Sequence, residues 1–102
     1  MPLTEQEAVE IVYAGLATLN EVRKADSLGP LALSLETKLL GSGGELDSLQ
    51  FINLIIEIEQ QVAQRVEQPI AVVGDSGLAD PHFQDVGALA RFLVELTRAT
   101  EA

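Results

Sequence analysis

The tripeptide Asp47-Ser48-Leu49 combines residue types and spacing that could do chemistry. Asp47 is a good helix N-cap, which puts Ser48 in a first helical turn, where backbone N–H groups lack intrahelical partners. A phosphate esterified to the Ser48 hydroxyl would sit at the positive end of the helix dipole, which favours it. Asp47 would repel that phosphate unless a divalent cation bridged the two. Spacing alone is equally met by a plain helix start, since short motifs match often. Other constellations are thinner. His82 is the sole histidine, and with Asp75, Asp80 and Asp85 nearby it reads as a solvated loop residue rather than a metal ligand. The stretch from Asp75 to Asp80 lacks the regular oxygen ligands and terminal Glu of a calcium loop. Gly41-Ser42-Gly43-Gly44 lacks the Lys of a phosphate-binding loop. No Gly-x-Ser-x-Gly elbow surrounds Ser48 or Ser76, and nothing brings His82 to Ser48 as a base. The chain is therefore not expected to be an enzyme.

Composition narrows the classes further. The 102 residues carry six Lys and Arg against sixteen Asp and Glu, a formal net charge of −10. That length suits one domain, 1–102, with a single core. The core must be built from Leu, Ile, Val and Ala, because there are three Phe, one Tyr and no Trp. With no Cys, disulfide scaffolds, thiolate zinc sites and cysteine nucleophiles are excluded. The acidic balance argues against nucleic-acid binding, which needs a basic face, and favours basic surfaces on partners. The longest apolar stretch, Phe51 to Ile56, is interrupted by Asn53 and is too short for a membrane span. The opening MPLTEQEAVE has no secretion-signal order, so a cytoplasmic location is expected.

Helical periodicity supplies the elements that would position Ser48. Thr4 and Glu7 have the spacing of a capping box, and Ala8, Val12, Leu16 and Leu19 recur on one stripe flanked by Ile11 and Gly15. This predicts a first helix from about Glu5 to Val22, with Arg23 and Lys24 at its negative end. A long loop follows to Leu46, broken at Gly29-Pro30 and at Gly41 to Gly44. Its leucines should pin it to the core, with one helical turn around Leu35 to Leu40; an extended Leu31 to Leu35 is the alternative. The central helix is expected to start at Asp47, with Gln50 closing a second capping box, and to stop at Glu67 before Pro69. Leu49, Ile52, Ile55, Ile56, Val62, Ala63 and Val66 form its main stripe, while Phe51, Leu54 and Ile58 lie outside it. Such a helix is apolar on more than one face, so it is central to a bundle or offers a sticky face to a partner. Residues 68–84 should be a loop with at most one short helix. Asp85 then caps a last helix whose stripe is Val86, Leu89, Phe92, Leu93 and Leu96, ending near Arg98. The expected fold is all-α: a small four-helix bundle of three main helices and one short one, with a long loop between the first two.

The run from Gly43 to Ile52, Gly-Gly-Glu-Leu-Asp-Ser-Leu-Gln-Phe-Ile, resembles the attachment site of the acyl carrier protein family, which includes peptidyl, aminoacyl and D-alanyl carrier domains. The Glu that this family has near the middle of the following helix would be Glu57 or Glu59. Asp85-Val86, Leu89 and Phe92-Leu93 are similar to its closing helix. The resemblance implies a phosphopantetheine on Ser48, transferred from coenzyme A by a separate phosphopantetheinyl transferase. It gives Asp47 the role of helping to hold Mg2+ during that transfer only. It makes the chain a monomeric carrier of thioester-bound acyl or aminoacyl groups. A loading ligase and downstream biosynthetic enzymes would be its partners. Leu49 and Ile52 would form the apolar patch that partners read, with Phe51, Ile55, Glu57 and Glu59 on the same docking surface. The missing Cys suits this role, because the reactive thiol would belong to the cofactor. Asn53 and Gln60 stand where fatty-acid carriers commonly have acids, a pattern closer to single-domain carriers of specialised pathways. The competing expectation is an unmodified helical interaction module that docks a partner through the apolar surplus of the central helix.

Overall fold

The computed structural model describes residues 3–27, 29–39, 46, 48–67, 72 and 83–101. The described residues are all-helical: α1 (Glu5–Ala25), α2 (Ser48–Val66) and α3 (Val86–Glu101). The stretch expected to hold a fourth, short helix lies mostly outside them, as do Asp47 with its cap, Pro69 and His82.

The capping box forms as the sequence predicts. Thr4 Oγ1 accepts from the Glu7 backbone N–H at 3.1 Å, and a Glu7 carboxylate oxygen accepts from the Thr4 N–H at 3.0 Å. These bonds satisfy two donors that a helix start leaves open. Together with the Arg65 guanidinium, they hold the Glu7 carboxyl below the ordinary glutamate range, the Thr4 backbone N–H contributing most. The predicted stripe of α1 is buried throughout, from Ala8 to Leu19, and the helix continues one turn further than expected. Asp85 caps α3: its Oδ1 accepts from the Ala88 N–H at 2.8 Å.

α1 packs on both of the other helices. It runs antiparallel to α2, because Glu7 near its start pairs with Arg65 at 3.3 Å while Arg23 near its end reaches Gln50 at 3.3 Å. The start of the chain also meets the end of α3. There the buried Thr97 hydroxyl accepts from the Leu3 N–H at 3.1 Å and lies 3.0 Å from the Leu93 and Val94 carbonyls. Phe83 links the other two helices, with its ring 5.2 Å from that of Phe51 and edge-on to Phe92 at 6.2 Å.

Four expectations are corrected. The buried side of α2 is Phe51, Leu54, Ile55, Ile58, Val62 and Val66, whereas Leu49 and Ile56 face solvent. The stripe is therefore rotated from the predicted one, because packing against α1 and Phe83 chose the bulkier of two apolar faces. Residues 35–39 form no helical turn. Thr37 N–H closes a turn on Ser34, and Lys38 then makes an isolated antiparallel bridge with Asp85. Leu39 N–H donates to Gln84 at 2.7 Å and Val86 N–H to Thr37 at 3.1 Å, so the long loop is stitched to the start of α3. Finally, α2 ends at Val66, with Glu67 in the left-handed conformation common just past a helix end, and α3 runs beyond Arg98 to Glu101.

Candidate functional site

Ser48 is the first residue of α2, where the motif requires it. Asp47 lies outside the described residues. Leu49, beside Ser48, is 70% exposed, the most open of the large apolar side chains described. An apolar side chain that open buries little area in the core, and its surface can be reached by a visitor.

The start of α2 is held from two sides. Arg23 is 6% exposed, and its Nε donates to the Gly29 carbonyl at 2.8 Å while Nη1 donates to Gln50 Oε1. Besides being a favourable charge in the last turn of α1, as expected, it ties α1 to the long loop and to α2. Asn20 adds a second tie: its amide exchanges two hydrogen bonds with the backbone of Leu31, at 2.7 and 3.0 Å. On the other side, Phe51 packs on Phe83. A first turn anchored in this way gives Ser48 a rigid base.

The expected docking residues divide. Phe51 is fully buried and Ile55 nearly so, which removes both from any docking surface: their side chains fill the core against α1 and Phe83. Ile52 is half-buried. Glu59 accepts from the Val72 N–H at 2.7 Å, so its carboxylate is engaged with Val72. Glu57 is half-buried and accepts from Gln61 Nε2 at 3.5 Å. α2 presents to solvent an uncharged strip of Leu49, Asn53, Ile56, Gln60 and Gln64, with the exposed Arg65 beside its end. Ile56, at 48% exposed, belongs to it although the sequence placed it in the buried stripe.

Beside this strip a groove of about 150 Å³ opens between α1 and α2, with Gly15, Thr18 and Val22 on one wall and Asn53, Leu54 and Glu57 on the other. Periodicity could not reveal it, because it depends on how closely two helices approach; the interior glycine of α1 was the available signal. A shallower cleft of about 580 Å³ sets Lys38 and Arg91 against Glu36 and Asp85, so its formal charges cancel. Among the described residues there is no cluster of metal-ligating side chains, and no helix is long and apolar enough to cross a membrane. No protein-family model, curated protein or solved structure matches the chain.

Proposed function

We propose that this chain is a carrier protein whose Ser48 bears phosphopantetheine and presents thioester-bound acyl or aminoacyl groups to partner enzymes. The observation that carries the reading is Ser48 at the first position of a helix anchored by Arg23 and Phe83, with an open Leu49 next to it. The exposed amides of that turn and the helix dipole favour the phosphodiester. In the attachment step the Ser48 hydroxyl gives its proton to a base of the transferase and its oxygen bonds to the phosphorus nearest the pantetheine, while the pyrophosphate link of coenzyme A breaks and the nucleotide leaves with that bond's electrons as a phosphate. Mg2+ held with the help of Asp47 serves that step and no other. The chain itself catalyses nothing. Its arm raises the local concentration of cargo at each partner's active site. A fourth, short helix between α2 and α3 completes the bundle in this reading.

Incubation with coenzyme A, Mg2+ and a promiscuous phosphopantetheinyl transferase should add the mass of one phosphopantetheine to the intact protein, and Ser48→Ala should abolish the addition. An unmodified wild-type chain would defeat the reading. The exposure of Leu49 and Ile56 also suits a second reading, an unmodified interaction module. That module would keep its function in Ser48→Ala and lose it in Ile56→Asp.

A further inference from the structure

We propose that the groove between α1 and α2 receives one branched apolar side chain of a partner protein, flanked on that partner by Lys or Arg. Gly15 lines the groove and sets how closely α2 approaches α1 beneath it. A Cβ there would lie 2.7 Å from Leu54 Cδ1 and 3.5 Å from Ile58 Cγ1, so the bare backbone lets Leu54 seat against α1. The space, about 150 Å³, matches a single benzene-sized group. It is far smaller than the pockets that enclose drug-sized molecules. A leucine-sized side chain fits this volume; a long acyl chain does not.

The walls also select for charge. Glu57 is the only ionisable residue lining the groove, and no cation lines it. The Thr18 hydroxyl donates to the Ala14 carbonyl at 3.2 Å, so its proton is committed and what it can offer a visitor is acceptor capacity. Within a chain of formal charge −10, this rim favours a donor that carries positive charge. Val22 extends the apolar wall to the surface, where it is 52% exposed, and Leu49 and Ile56 continue the apolar surface along the α2 side. The requirements on the occupant are therefore an aliphatic tip with cations beside it, and they hold whether or not Ser48 is modified.

The probes are the acetylated tripeptide amides Lys-Leu-Lys, Lys-Ala-Lys and Glu-Leu-Glu, titrated into the full chain while backbone amide NMR shifts are followed. Lys-Leu-Lys should move the Gly15, Thr18, Asn53 and Glu57 signals equally in wild type and in Ser48→Ala. Lys-Ala-Lys and Glu-Leu-Glu should each bind at least about fivefold more weakly, as a lost apolar contact or a repelled charge requires. Val22→Lys, a change at an exposed site near a helix C-terminus that the fold tolerates, should abolish the response. Equal shifts with Lys-Leu-Lys and Lys-Ala-Lys, or a response that survives Val22→Lys, would overturn the proposal. Because Ser48→Ala is expected to bind normally, failure of the carrier reading and failure of this one are separate results.

Discussion

Replacing Arg23 with Ala should destabilise the domain by about 2–3 kcal/mol, a figure that follows from three contributions. The bond from Nε to the Gly29 carbonyl is 2.8 Å long and charge-assisted, a class worth about 1.5–3 kcal/mol. The 3.3 Å bond to Gln50 is longer and adds less. The buried aliphatic stem contributes packing that Ala cannot replace. Two effects oppose these gains. The guanidinium gives up hydration to be 6% exposed, and the Gly29 carbonyl, on an exposed residue, regains water once Arg23 is gone. Arg23→Lys keeps the charge but not the planar fork, and should lose about half as much. Urea unfolding followed by circular dichroism reads the effect directly. The accompanying fall in Tm should be roughly 10–20 °C, since about 1 kcal/mol corresponds to about 4–8 °C at this chain length. If Arg23→Ala lies within about 0.5 kcal/mol of wild type, the range of an ordinary surface substitution, then Arg23 is only a favourable charge at a helix end. The anchoring argued for the start of α2 would then be wrong.

Thr97→Val, which preserves shape, should cost about 1–2 kcal/mol in the same assay because it leaves the buried Leu3 N–H without an acceptor. Glu7 has a lowered pKa in the folded state, so its contribution is complete above the ordinary glutamate value. That contribution is lost as pH falls through the lowered one. The Tm difference between wild type and Glu7→Gln should accordingly be largest near about pH 7 and shrink toward about pH 3. A gap that grows on acidification contradicts the capping geometry. Phe51→Asp should unfold the domain or destabilise it by more than about 4 kcal/mol, while Leu49→Asp should leave the unfolding free energy within about 0.5 kcal/mol of wild type. Equal losses would mean that the assigned buried face of α2 is wrong.

What could be read in advance was local. Thr4, Glu7 and the Ala8 to Leu19 stripe identify α1 because caps and periodicity involve residues within one or two turns of each other. The same holds for Asp85 and for Ser48 at a helix start. The phase of α2 was not legible from its apolar residues, which occupy both sides. Its polar ones, Asn53, Gln60 and Gln64, do mark the outer face and would have pointed to Phe51, Ile55, Ile58 and Val62 as the core. Arg23 does lie in the last turn of α1 as expected, but its burial and its ties to Gly29 and Gln50 depend on contacts distant in sequence that a helix-end charge does not reveal. The Lys38–Asp85 bridge joins segments too distant for any local pattern to pair. Gly15 did carry a signal: an interior glycine weakens a helix by about 1 kcal/mol relative to Ala, which suggests a packing reason for its presence.

The absence of cysteine makes one measurement unusually direct. The chain has no thiol of its own, so a thiol-reactive dye should titrate none before treatment. After incubation with coenzyme A, Mg2+ and the transferase, followed by removal of small molecules, the purified protein should titrate one thiol per chain, and Ser48→Ala should titrate none. Wild type that still titrates none, or Ser48→Ala that titrates one, contradicts the assignment of Ser48 as the carrier's attachment point.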